Sequence, residues 1–549
     1  MSLHSVTSAD AKARVRAFAD IVFRRCDGEG DVVPAGHEPD WDDAPARYRV
    51  YPGRPRISLP GPLELQQRFD ASRTGGKGGA VPDLAQLSVL LYLTLAPLRR
   101  KVDITWNVDI PNIGFLAHEF GRGSASGGGL YPTQIYLVSA GTATLGAGVY
   151  HYGVADHSLV PLRHGSYQGV LDHALGGGHR HPYYLVLAPD FWMNCVKYHN
   201  FGMHVCSQDA GALLGTVQVA CDSLGIAQRS FTVFDDALVN LVTGADGFHE
   251  TSFAVVGLGE PQAVAAAERN LDAVRAELAA TPVPQPWQKS RDVRISPMLD
   301  QIQRLTWLDA AALPPLLESA HESPRQAGQN EQGCGMIEPL LRHSLPSVLH
   351  ARRSAWGSLH SDSPVTRGEL LELLRFVWRR AAPEFAPLRE ALPEGSLSLA
   401  MQVNHCPDLA RGAYRYDPAS DDLVALGGEQ PDRWQSTYAW YNYNIEETNC
   451  ALFVTGDIDA VMARYGARGY RVLNACVGMM AQLCYVGATA LSLDCGAVLG
   501  ARAQQVKRCL NLSENENVCI AFYLSRSQAP VHLFDYSLVP DVPNWKKSV

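Results

Sequence analysis

The chain has no apolar run after Met1 and nowhere the ~20 consecutive apolar residues needed to span a bilayer, so neither export nor membrane insertion is expected. The cytoplasm is the default location. Its twelve cysteines include no C-x-x-C, and H-E-x-x-H is absent, so no metal site is expected and the thiols read as buried rather than as a disulfide framework. A basic excess is also missing: 47 Lys and Arg against 56 Asp and Glu leave a net charge of −9, which gives no footprint for nucleic acid and mainly favours solubility.

What is present is a repeat. Gly148 to Leu162 (GVYHYGVADHSLVPL) aligns without a gap on Gly412 to Leu426 (GAYRYDPASDDLVAL), sharing Tyr150/Tyr414, Tyr152/Tyr416 and Leu159/Leu423. A second block, Lys197 to Ile226 on Arg464 to Leu493, pairs Tyr198/Tyr465, Gly202/Gly469 and Gly211/Gly478. Solenoid units run to roughly 20–50 residues, so a period this long is a domain-sized duplication, the covalent version of a two-fold dimer. The 549 residues and a 46% hydrophobic share suit that reading, and 34 Pro and 48 Gly point to many loops.

An amphipathic helix is expected over Asp10 to Arg25, capped from the Ser8–Asp10 stretch, followed by a Pro- and Trp-containing arm that wraps another element. Helical spacing over 83–96, strands over 133–141, 183–190 and 252–259, and a helix buried on several sides over 209–224 mix helix with strand in each copy. Another helix is expected over 261–280, then a Pro-rich connector, and the chain ends in a loose tail. The boundaries read as an arm (1–60), a first domain (61–260), a connector (261–337) and a second, partly degenerate domain (338–549).

The chemically informative stretch is Gly121 to Val138, GRGSASGGGLYPTQIYLV. Three consecutive glycines and small hydroxylated residues ahead of a strand leave backbone amides open to a flat polar ligand, or else form a tight turn with no ligand. Neither the G-x-G-x-x-G fingerprint nor a phosphate-binding G-x-x-x-x-G-K-[ST] loop occurs in it. The Lys197–Tyr198 pair, on its residues alone, suits a snorkelling lysine beside a tyrosine that caps the core.

The order SASGGGLYPTQIYLV, GVYHY, KY-x-x-FG and DAG-x-x-x-GTVQVAC-x-SLG resembles the SagB-type FMN-dependent dehydrogenases of the nitroreductase superfamily, strongly in the first copy and weakly in the second. The resemblance implies an α+β fold of two fused nitroreductase-like domains forming an intramolecular pseudo-dimer, with FMN held between them. It implies oxidation of thiazoline or oxazoline rings in a peptide or small molecule, and a cyclodehydratase or other biosynthetic enzyme as partner. Lys197 and Tyr198 would then be the proton-handling pair. For FMN, the resemblance points to Ser124, Ser126, Gly127 and Gly128 at the ring, and to Arg352, Arg353 and Ser354 at the phosphate, with Arg526 supplying a further charge and Gly496 a close approach. A mirror site would use Arg73, Thr74 and Lys77, but the second copy offers only LPEGSLSLAMQVNHCPD where the ring loop belongs, so one site per chain is favoured. His179 to His181 read as an exposed loop, and His199 and His204 as neighbours of Lys197 that could line the site. A nitro- or quinone reductase using nicotinamide, and a flavin-binding partner subunit without activity, are the alternatives. Further self-association is left open.

Overall fold

The computed structural model describes residues 7–28, 32–61, 81–103, 120–263, 271–309, 313, 336–355, 359–381, 392–526 and 533–537. Two antiparallel sheets carry the repeat. In the first, the strands run in the order Ser158–His164, Gly148–Gly153, Thr133–Ser139, Tyr183–Pro189, Ala254–Leu258, Gln228–Phe231. The second has the order Asp422–Leu426, Gly412–Asp417, Leu397–Val403, Cys450–Asp457, Glu516–Ser525, Asp494–Val498. Position by position the connectivity is the same, and the hairpins that repeat in sequence occupy corresponding places.

Between the sheets lie two long helices, Gly202–Leu224 and Gly469–Ala490, which pack on each other more extensively than any other pair of elements. Glycine allows that approach. A Cβ on Gly211 would stand 2.2 Å from the carbonyl oxygen of Ala475, and one on Gly478 would stand 2.0 Å from that of Gln208. The repeated pair Gly211/Gly478 therefore marks the crossing point, where any side chain would push the helices apart. A single apolar cluster continues through both halves, with Leu213 and Val217 on one side and Leu473 and Val477 on the other. Smaller clusters cover the outer faces, around Val186 and Phe234 in the first half and around Trp434 and Phe453 in the second.

A buried ion triad also joins the halves. Arg468 Nη1 donates to both oxygens of Asp236 at 2.8 Å, and Arg471 Nη1 donates to Oδ1 at 2.9 Å. All three side chains are at most 1% exposed. Burial and the neighbouring Arg468 pull the Arg471 guanidinium down to about 9 against the opposing pull of Asp236. The apolar helical run Ile458–Ala490 is long enough to cross a membrane by length and composition, but 94% of its most apolar window is buried inside the fold, so its apolarity is that of a core element.

The N-terminal helix, Ser8–Arg24, starts earlier than its sequence suggests because Thr7, not the Ser8–Asp10 stretch, caps it by accepting from the Asp10 amide at 3.1 Å. It packs on the second half, with Phe18 edge-on to Tyr470 and Arg16 paired with Asp459. The arm then turns back to the first half. There Arg49 is bound between Asp190 and Glu250, and Ile57–Ser58 adds an edge strand beside Ser158–His164.

Three expectations need correction. Residues 533–537, expected in a loose tail, form a strand that returns to the first half and pairs with Pro97–Asp103. Gln262–Ala263, placed by composition in a helix, is a short strand paired with His179–Arg180, and the helix there is Leu271–Ala280. His181 is not in an exposed loop: it is buried, with Nδ1 at 2.9 Å from the carbonyl of Gly259. Long-range strand pairing decided each case, which local spacing does not record. Among the described residues every cysteine is a free thiol, and no cluster able to hold a metal ion occurs.

Candidate functional site

A cavity of about 760 Å³ lies between the two halves, with walls from both. Its volume is within the roughly 300–1,000 Å³ typical of small-molecule and cofactor sites. The first half contributes the glycine loop. Gly128 and Gly129 have φ of 64° and 67°, a backbone region that suits glycine, and a Cβ on Gly128 would fall 2.5 Å from Tyr198 Oη and 3.1 Å from Lys197 Nζ. A Cβ on Gly127 would strike Val205 at 2.3 Å. Glycine thus lets the loop lie directly against the helix that carries Lys197 and Tyr198.

Asp209 fixes this loop. Ser126 Oγ donates to its Oδ2 at 2.6 Å, the Gly127 amide donates to Oδ1 at 2.8 Å, and the Tyr131 amide donates to Ser126 Oγ at 2.9 Å. Burial raises the Asp209 carboxyl to about 7 in spite of those donors, both of which favour the ionised form. Asp209 belongs to the DAG-x-x-x-GTVQVAC segment, whose local sequence gives no sign of this role. The contact that reveals it spans 83 residues.

Lys197 and Tyr198 close the helix Trp192–Tyr198, and both line the cavity. Lys197 Nζ lies 5.0 Å from the Tyr198 ring centroid and has no ion pair among the described residues. Burial lowers the lysine's pKa and raises that of Tyr198, with Asp209 adding to the latter. The arm reaches the same helix, where His37 Nε2 lies 3.2 Å from the Val196 carbonyl. The Asp190 carboxylate held by Arg49 accepts from the Trp192 amide at 3.1 Å.

From the second half, Arg352 follows the helix Ile337–Ala351 and crosses to the glycine loop. Its guanidinium donates to the carbonyls of Arg122 and Gly123, both at 2.9 Å. Gln482 makes a second crossing, accepting from the Ala125 amide at 2.8 Å and donating to the Gly123 carbonyl at 2.9 Å. Ser354 Oγ lies 2.8 Å from Tyr485 Oη, and both residues line the cavity. The remaining wall includes the aromatic segment Tyr438, Trp440 and Tyr443, together with Arg25 from the arm and Arg99 from the strand that the 533–537 segment pairs with. Among the described residues four cations, Arg25, Arg99, Lys197 and Arg352, line the cavity against one carboxylate, Asp209.

The structure therefore brings Ser126, Gly127, Gly128, Lys197, Tyr198, Arg352 and Ser354 together around one space. Other expected residues stand apart from its lining. Ser124 is buried behind the loop, its Oγ within hydrogen-bond distance of both Thr94 O and Thr216 Oγ1. Arg353 is not part of the wall. Gly496 gives close approach to the Tyr443 ring, 2.7 Å from its Cβ position, rather than to the cavity, whose nearby wall is Ala497 to Gly500. Arg526 is drawn away by Glu369, with which it forms an ion pair. His204 is buried behind the wall against Tyr470 Oη at 2.8 Å, and His199 does not line the cavity. Arg73, Thr74 and Lys77, like Trp356 beside the Arg352 motif, fall outside the described residues. Sequence reading missed Arg25, Arg99, Asp209, Gln482 and the aromatic segment, each of which reaches the site through long-range packing.

Comparison with known proteins matches residues 350–525 to the model of the nitroreductase family. The match falls in the second half, the copy whose motifs resemble that superfamily less strongly. No curated protein matches the chain. Among solved structures, a protein of Anabaena variabilis assigned as a nitroreductase aligns with a TM-score of 0.65 at 19% identity, covering 92% of this chain and 99% of that one. One from Ralstonia eutropha gives a TM-score of 0.28 at 17% identity, covering 42% of this chain and 98% of that chain. The E. coli microcin synthetase complex McbBCD with truncated pro-MccB17 gives 0.27 at 18% identity, covering 47% and 97%. Residues 350–525 thus match the nitroreductase family model, and across both halves the chain shares the fold of the Anabaena protein.

Proposed function

We propose that the chain is an FMN-dependent oxidoreductase, an intramolecular pseudo-dimer of two nitroreductase-like domains, that dehydrogenates an azoline or a similar reduced C–N ring. The domain limits are those read from the sequence, 61–260 and 338–549, with the arm and connector bracing them. The observation that carries this reading is the cavity wall. A glycine cradle with Lys197 and Tyr198 comes from one half, and Arg352 with Ser354 comes from the other.

The residues present suit the cofactor. Side chains are excluded at Gly127 and Gly128, which leaves main chain at the surface for a flat ring system. Arg352, Arg99 and Ser354 offer cationic and hydroxyl donors of the kind that phosphate requires. When bound, FMN supplies the two-electron redox chemistry.

The chain's own task is to orient the substrate and move a proton. Lys197, with its ammonium form disfavoured by burial and no carboxylate to hold it, is suited to accept a proton at Nζ. Tyr198 keeps its hydroxyl proton, since burial and Asp209 both oppose ionisation, so Oη can donate a hydrogen bond beside Gly128. Arg464, at the position of Lys197 in the second copy, cannot act as a base. A biosynthetic enzyme that makes the reduced ring is the expected partner.

The test is anaerobic bleaching of the yellow protein. Bleaching by a thiazoline or oxazoline substrate without nicotinamide supports the dehydrogenase. If only NAD(P)H bleaches it, the chain is a reductase, and bleaching by neither leaves a partner subunit without activity. Lys197→Ala should retain the colour and lose turnover, whereas retained turnover removes Lys197 from the mechanism.

A further inference from the structure

Arg25 is the guanidinium in the cavity wall to which neither the phosphate nor the proton-handling argument gives a role. It lies in the turn after the N-terminal helix, where Cys26 and Gly28 also line the cavity. Its guanidinium donates to the carbonyls of Val22 and Leu499 and lies 4.0 Å from the Phe201 ring centroid. Arg352, which the phosphate argument does use, is held in the same way by the Arg122 and Gly123 carbonyls and the Tyr485 ring.

No carboxylate among the described residues forms an ion pair with Arg25. Two carbonyls take two of the guanidinium's five N–H donors and the Phe201 ring faces it, but no anion and no further acceptor among the described residues meets it. A cation withdrawn from water without an anion is costly, and an anionic ligand entering the cavity offsets that cost. Burial accordingly lowers the Arg25 pKa, a direction that a bound anion would reverse.

Beside it stands an open aromatic surface. Leu499, which accepts from Arg25, is followed by Gly500, whose Cβ position lies 2.0 Å from Trp440 Cζ3. Trp440 lines the cavity, yet 51% of it remains exposed. Lys197 and Tyr198 belong to the same neighbourhood, since the Tyr198 and Phe201 ring centroids are 6.1 Å apart. A fixed guanidinium and an indole face, next to the proposed proton acceptor, form a recognition surface for a small planar acid.

We propose that Arg25 and Trp440 select a substrate that carries a free carboxylate next to a planar or apolar ring, the guanidinium taking the carboxylate and the indole face the ring. This rests on the reading of the cavity as a flavin-dependent dehydrogenase site, and it narrows the substrate to a reduced heterocycle that is itself an organic acid. An internal residue of a long peptide, having no free carboxylate, would not satisfy Arg25.

The experiment is calorimetric titration of the full-length purified protein with 2-phenyl-2-thiazoline-4-carboxylate and, separately, with its carboxamide. The acid is expected to bind tighter by about 10-fold or more, the value of one hydrogen-bonded charge contact. Arg25→Gln should abolish that preference and Arg25→Lys keep part of it. Trp440→Ala should weaken acid and amide alike. The wild-type comparison needs no variant to fold: if the acid binds no tighter than the amide, or does not bind, the proposal is overturned, as it is if Arg25→Gln keeps the preference. Flavin content measured on the same samples separates the two readings, because its absence removes the dehydrogenase while the acid preference is read from the heat of binding alone.

Discussion

Replacing Asp236 by Asn should destabilise the whole chain, because it leaves Arg468 and Arg471 buried together without a counter-charge. The two guanidinium groups approach the carboxylate at 2.8 and 2.9 Å in a region where all three residues are at most 1% exposed. With an effective dielectric near 20, each pair of unit charges at roughly 4 Å interacts by about 4 kcal/mol. Removing the carboxylate forfeits both attractions, about 8 kcal/mol before any relaxation, and leaves the Arg468–Arg471 repulsion in place, so the loss should reach at least the ~3–5 kcal/mol seen when one partner of a buried pair is removed. The neutral acceptors remain, since Arg468 also donates to Thr232 O and Arg471 to Ser252 O and Gln303 O, so the loss is one of charge rather than of all hydrogen bonding. Urea unfolding followed by both far-ultraviolet circular dichroism and tryptophan fluorescence reads the effect. Adding Arg471→Met to Asp236→Asn should cost less than the two single changes summed, by more than about 1 kcal/mol, because it removes one of the stranded cations. A loss below about 1 kcal/mol in Asp236→Asn, or strict additivity in the double variant, would refute the reasoning.

Other outcomes follow from the same geometry. Gly478→Ala should destabilise by about 2 kcal/mol or more, since overpacking against the Gln208 carbonyl exceeds the ~1 kcal/mol of helix propensity that alanine adds. Gly412→Ala, whose Cβ position has nothing nearer than 3.7 Å, should stay within about 1 kcal/mol, both variants being read by the same urea unfolding. The Asp209 carboxyl, raised in the fold to about 7 from 3.8, makes folding less favourable as pH rises through that window, because the folded protein then holds a proton the unfolded chain has released. Wild type should therefore lose stability relative to Asp209→Asn by about 1–4 kcal/mol between pH 4 and pH 8, and a pH-independent difference would assign Asp209 an ordinary carboxyl.

The fold was legible where the chain repeats itself. The hairpins Gly148 to Leu162 and Gly412 to Leu426 keep their tyrosines because both face corresponding parts of the core. Gly211 and Gly478 align because both occupy the same helix crossing, a steric demand that survives divergence elsewhere. The glycine loop and Lys197–Tyr198 could be found for a related reason: they are local, and a motif needs only a few adjacent residues. Arg352 and Ser354 were likewise contiguous, whereas Arg526 and Gly496 were assigned by position and their side-chain surroundings proved different, an ion pair with Glu369 in one case and the Tyr443 ring in the other. Asp209, Gln482 and Arg25 were not legible as site residues, since each acts across 83, 357 or 474 residues of chain. The 533–537 strand was missed likewise because its partner, Pro97–Asp103, lies at the other end of the sequence.

The central claim is that one flavin site is completed by both halves of the chain. Release and quantification of bound flavin from wild type, Gly128→Val and Arg352→Ala tests it most directly. The account predicts one FMN per wild-type chain and loss of most of it in either variant, although the altered residues lie in different halves. Wild-type protein free of FMN, or full occupancy in both variants, would contradict it.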